Sequence, residues 1–171
     1  INPNSDAAMT AMIDRRLDAL RRQGAPEICC VTLEAGPPAI ENDLHCRQVI
    51  APLRKRVAGL GPVDAIVIGC FSDPGISELR ALNSCPVLGF CEAGIGAAIA
   101  LGGRYGILTN LEDDVPDEMT YLRARNLEHR LAGIEAVGVP VGALSRCPDI
   151  LTRMAAATGR LEARGASSVV L

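Results

Sequence analysis

Two rhythms alternate along the chain. Short apolar runs rich in β-branched residues give way to stretches whose apolar positions recur every three or four residues. The runs fall at residues 28–33, 63–68, 85–90, 104–110, 134–141 and 165–171, and Ile1 reads as the end of another. Such runs fit strands buried on both faces of a parallel sheet. The helical stretches carry Met9, Met12, Ile13, Leu17 and Leu20, ended by Gly24, then Leu44, Ile50, Leu53, Val57 and Leu60. Further helices are predicted at residues 74–83, 93–101, 116–130 and 148–163. Pro52 lies inside the second stretch and is expected to kink or divide it. This alternation predicts a parallel α/β architecture.

One stretch organises the rest, Val63-Asp64-Ala65-Ile66-Val67-Ile68-Gly69-Cys70-Phe71-Ser72-Asp73-Pro74-Gly75. Its apolar start is a buried strand. Asp73 reads as a helix N-cap and Pro74 as the first helical residue. Cys70 is therefore expected where a strand ends and a helix begins, the place where open α/β sheets bind ligands. A thiol beside a helix N-terminus is favoured as thiolate and is more reactive. The same spacing also fits a buried, inert cysteine.

Two other corners repeat the arrangement. Asn2, Asn4 and Ser5 follow the first strand, with Ser5 or Asp6 able to cap the next helix. Thr109 and Asn110 end the fifth predicted run. Free helix N–H groups at such corners can hold a carbonyl or carboxylate, although turn preference alone explains the same residues.

Composition narrows the function classes. The chain has 171 residues, net charge −3 and 2% aromatic residues, which argues against a nucleic-acid surface. No apolar run approaches the roughly 18–20 residues of a membrane span, and no signal peptide is visible. Seven cysteines at irregular spacing read as reduced thiols, so a cytoplasmic location is expected. Lys55 is the only lysine and lies in Arg54-Lys55-Arg56 on a predicted solvent face, which disfavours a pyridoxal Schiff base. His45 and Cys46, with Cys29 and Cys30, lack the C-x-x-C pairing of a zinc site; no metal is expected. Gly94-Ile95-Gly96 is followed by Ile99 where a dinucleotide fingerprint needs Gly or Ala, so these small residues are read as allowing close helix packing. Glu128 and His129 read as a solvated helix face. With few histidines, cysteines and carboxylates must carry any acid–base chemistry.

Residues 166–171 resemble residues 65–68, which hints at an internal repeat. Both ends of the chain fall within strands, and a segment of a longer polypeptide is expected.

Ile1-Asn2-Pro3-Asn4-Ser5, Gly36-Pro37-Pro38-Ala39-Ile40-Glu41, Gly69-Cys70-Phe71-Ser72-Asp73-Pro74-Gly75 and Pro86-Val87-Leu88-Gly89-Phe90-Cys91-Glu92-Ala93 together resemble the aspartate/glutamate/hydantoin racemase superfamily. The Cys-Phe-Ser-Asp-Pro-Gly segment resembles its hydantoin and allantoin racemase branch. The resemblance implies two similar lobes with parallel, flavodoxin-like sheets flanked by helices, and an active site in the cleft between them. The first lobe would be residues 1–92, carrying Cys70. The second would be residues 93–171, incomplete at its C-terminal end. It further implies a cofactor-independent isomerase. One cysteine, as thiolate, removes the proton beside a carbonyl, and another, as thiol, returns one from the opposite face. Cys70 matches the first of these. The second is expected in a Leu-Gly-Cys segment starting at Leu171; Cys147, leading into the last helix, is a poor substitute. Asn4 and Ser5 match the first substrate-facing corner, Asp73 and Gly75 belong to the Cys70 loop, Thr109 and Asn110 take the equivalent corner of the second lobe, and Glu92 lies at the end of the fourth strand. The partner implied is a small-molecule substrate, and lobes of this kind pair through exposed helices, so a homo-oligomer is expected. Two other readings stay open: a one-thiol decarboxylase or cis–trans isomerase on the same fold, and a non-catalytic small-molecule binding module.

Overall fold

The structure is a computed structural model that describes residues 1–171 apart from the side chain of Ser145. The chain forms two compact units: Ile1–Ile40 with Leu44–Gly89, and Glu41–Asp43 with Phe90–Leu171. In both, parallel strands are flanked by helices.

In the first unit, strands β1 (Ile66–Ile68) and β2 (Val87–Gly89) pair in parallel. Ile1 extends this sheet, because its amino group donates to Val67 O (2.6 Å) and its carbonyl accepts from Gly69 N (2.8 Å). Asn2 in turn makes a parallel bridge with Thr32. The full strand predicted at residues 28–33 is therefore reduced to one bridge. Pro3 lacks the N–H that would carry the ladder further, and the Asn4 N–H turns to the Asn2 side chain.

Helix α1 (Ala7–Arg16) is capped by Asp6, whose carboxylate accepts from Ala8 N and Met9 N. It ends well before Gly24. Arg21 captures the Asp14 carbonyl and carboxylate together with Asp18 and Ile28 O, drawing the chain back on itself. Met12 and Leu20 are left exposed. Helices α2 (Asp43–Gln48) and α3 (Ile50–Ala58) are divided at Val49. Pro52 sits in the first turn of α3, where its missing N–H costs no helical bond. Leu53, Val57, Ile66, Ile68, Leu79 and Val87 form the heart of this core.

Helix α4 (Ile76–Leu82) corrects the expected cap. It starts two residues after Pro74, its N-cap is Gly75 at φ 71°, and Asp73 adopts φ 45°. Two left-handed residues around Pro74 stretch the turn before the helix can begin. Asp73 is only 3% exposed; its carboxylate lies against Gly89, where any Cβ would overlap it.

In the second unit, β3 (Arg104–Thr109) lies between β4 (Leu131–Ala136) and β5 (Ala166–Val170), all parallel. The order β4-β3-β5 matches that of residues 31–33, residues 1–2 and β1 in the first unit, giving structural content to the repeat. Helix α5 (Phe90–Ala100) packs on β5, and a Cβ on Gly94 would approach Val170 Cγ1 to 2.6 Å. Gly94 thus serves close packing, whereas Gly96 faces open space. Helix α6 (Val115–Ala124) stops short of the expected Arg130. Asn126, at φ 55°, ends it, and Leu127 N returns to Leu122 O (3.0 Å), a Schellman closure. The sixth strand starts earlier than predicted and leaves the sheet before Gly138, at φ 74°. Helix α7 (Ile150–Ala163) covers the sheet through the buried Leu161. Among the described residues no helix is long and apolar enough to cross a membrane.

Candidate active site

Cys70 lies two residues beyond β1, at the C-terminal edge of the first unit's sheet. Ile1 and Asn2 run parallel beside β1, so the Asn4–Ser5 corner emerges at the same edge. Cys70 is half-buried and packs beside the core. The backbone N–H and the hydroxyl of Ser72 both donate to its sulfur. Burial nevertheless pushes the thiol up to about 12, and neighbouring Cys46 and Asp73 push it the same way. The expected helix-stabilised thiolate is thus overturned. Helix α4 has seven residues and starts at Ile76, beyond the first-turn range in which a helix dipole acts. Cys70 rests as a thiol, and selective alkylation at neutral pH is not expected of it.

The Asn4 corner is built from buried amides. Asn4 Oδ1 accepts from Asn2 Nδ2 (2.7 Å) and Asp6 N (3.0 Å), and Asn2 Nδ2 also reaches Thr10 Oγ1 (3.0 Å). Asn4 Nδ2 faces Met9 Sδ at 3.4 Å. Asn4 is therefore committed mainly to shaping the turn. Ser5 is part-exposed, and its N–H donates to Pro37 O (2.9 Å). Gly36 makes this closure possible, since a Cβ there would collide with Pro3 O. The Gly-Pro-Pro segment clamps the corner beside which Cys70 sits.

Asp73 and Gly75 belong to the Cys70 loop, as expected. Asp73 is wedged on β2, and Gly75 faces the Leu53 and Ile50 side chains. Glu92 is in the first turn of α5, not at a strand end, and its carboxylate meets Arg125 Nε at 3.0 Å. Arg125 also lies over the Tyr121 ring at 3.7 Å.

In the second unit, Thr109 ends β3 and the Asn110 carbonyl accepts from Gly138 N and Val139 N. Thr109 hydrogen-bonds Glu118, a residue of the helix predicted at residues 116–130 that no sequence motif singles out. Burial raises the Glu118 carboxyl to about 7. The signal was available, because Glu118 precedes the fully buried Leu122 by one helical turn and shares its face. Cys147 donates to Asp149 Oδ1 (3.0 Å), which raises its thiol. No group of three or more His, Cys, Asp or Glu side chains fit for a metal occurs among the described residues.

Comparison with known proteins gives this arrangement a family. The chain is 30% identical over 159 residues to the hydantoin racemase of Rhizobium meliloti, covering 90% of this chain and 64% of that protein. It therefore spans about two thirds of that relative's length. The solved allantoin racemase of Klebsiella pneumoniae superimposes with a TM-score of 0.85 at 27% identity, over 98% of this chain and 70% of the other. That of Pseudomonas fluorescens does so with 0.82 at 27% identity, over 94% and 68%. The Asp/Glu/Hydantoin racemase family model matches residues 1–171, and the chain belongs to that family.

Proposed function

We propose that the protein is a cofactor-independent racemase that inverts a carbon beside a carbonyl in a hydantoin- or allantoin-type ring, with Cys70 as one of two acid/base thiols. The observation that carries this reading is the placement of Cys70: half-buried at the end of a parallel strand, with two Ser72 donors on its sulfur, in a chain of the racemase family. The ring carbonyl makes the adjacent C–H acidic. A thiolate takes that proton, the electron pair spreads onto the carbonyl oxygen, and a thiol on the other face gives a proton back. The two thiols exchange roles when the opposite enantiomer is bound. At rest Cys70 is the proton donor. The Ser72 donors then steady the thiolate it becomes, as charge-assisted hydrogen bonds do. The opposing thiol is the one that the resemblance places in a Leu-Gly-Cys segment beginning at Leu171.

Ser5, Thr109 and Asn110 are the groups proposed to meet the substrate. Asn4, Asp73 and Gly75 shape the Cys70 edge. Glu92, tied to Arg125, has the weakest case for contact.

The test uses the full-length protein and single enantiomers of allantoin, a 5-substituted hydantoin, aspartate and glutamate, followed by circular dichroism. Optical activity decays for the cyclic ureides and persists for the amino acids. Release of carbon dioxide, or no decay with either ureide, overturns the proposal.

A further inference from the structure

Glu118 carries chemistry that no step above uses. It sits on α6, which packs against β4. Its Oε2 is buried with no hydrogen-bond partner among the described residues. Its neighbour is Thr109, 6% exposed at the end of β3.

A hydroxyl has one proton to give and two lone pairs to receive. Against an ionised carboxylate, which only accepts, Thr109 must spend its proton on Glu118. It then presents lone pairs alone to anything else, which repel a developing oxyanion. Against a protonated carboxyl the same hydrogen bond reverses: Glu118 donates, and the Thr109 proton is released. Leaving a charged oxygen buried without a partner is costly, so the unsatisfied Oε2 favours the protonated form.

We propose that Glu118 is a positioning residue whose proton turns the Thr109 hydroxyl into a hydrogen-bond donor toward the substrate carbonyl. This rests on the racemase reading, in which Thr109 meets the substrate. Burial is the main cause of the raised Glu118 carboxyl, Asp114 in the preceding turn adds to it, and the Thr109 hydrogen bond opposes it. Glu135 on β4 is neutralised by Arg160 and Arg164. The Glu128-His129-Arg130 turn lies beyond the end of the helix. A carboxyl near 7 makes the reversal a neutral-pH event.

The test compares pH profiles of kcat/KM for the full-length wild type, Glu118→Gln and Thr109→Val, and follows the Glu118 carboxyl carbon by ¹³C NMR in wild type and Thr109→Val. Wild-type kcat/KM falls about tenfold per pH unit above the Glu118 midpoint. That fall disappears in Glu118→Gln, whose neutral amide can donate at every pH. The Glu118 midpoint rises in Thr109→Val, which loses the hydrogen bond that lowers it. An unchanged pH profile in Glu118→Gln, or an unmoved midpoint in Thr109→Val, overturns the inference while leaving the racemase reading intact. If no ureide is racemised at all, it is the racemase reading that falls. The NMR midpoint then still decides whether the two side chains are coupled.

Discussion

Cys70→Ser in the full-length protein lowers racemisation about 10³-fold and leaves ligand affinity within a few-fold. A positioned acid or base contributes roughly 10²–10⁴-fold, and a serine hydroxyl is far too weak an acid to replace the thiol. The change alters little volume, so the half-buried site keeps its shape. Ser72 remains available to hydrogen-bond the serine oxygen. The loss therefore falls on kcat with KM little changed, the signature of an interaction used in the transition state. Cys29→Ser is the control, since Cys29 is exposed and has no part in the chemistry. Turnover by Cys70→Ser within tenfold of wild type removes the assignment.

Gly89→Ala destabilises the protein by about 3 kcal/mol, at the upper end of what overpacking costs. The added methyl would occupy the space of the Asp73 carboxyl group. Asp73 cannot simply swing aside, because it is buried in a left-handed turn. Either β2 shifts or the carboxylate leaves its seat and carries the Cys70 loop with it. Turnover falls with stability for that reason. Gly96→Ala is the contrast: nothing lies within 4 Å of a Cβ there, and alanine stabilises a helix interior by about 1 kcal/mol. Urea unfolding midpoints of the two variants measure the difference. Equal midpoints would show that Asp73 is not wedged on β2.

The same loop marks the boundary of what the sequence reveals. Strand β1 and the last strand β5 follow from their short apolar runs, and helices α5 and α7 from the stretches between predicted strands. Asp73-Pro74 carries the local signature of a cap and a first helical residue, yet Asp73 turns inward. The reason lies in Gly89, on another strand, and no local pattern holds that contact. Residues 28–33 show the same limit: their composition is that of a strand, but Pro3 on the neighbouring strand stops the ladder at one bridge. The Cys70 thiol shows the same limit, since its acidity depends on core packing and on the Ser72 donors rather than on a helix end. Glu118 was hidden by Asp113, Asp114 and Asp117 around it, a charged run in which one member faces inward beside Leu122.

Solvent-deuterium exchange at the stereogenic carbon tests the role of Cys70 most directly. A single enantiomer of a cyclic ureide is incubated in D₂O with the full-length wild type and with Cys70→Ser, at a pH where uncatalysed exchange is slow. In wild type, deuterium enters that carbon in step with the loss of optical activity, and in Cys70→Ser both processes slow together. Inversion without deuterium uptake, or undiminished exchange coupled to inversion in the variant, would show that the proton passes through some other group.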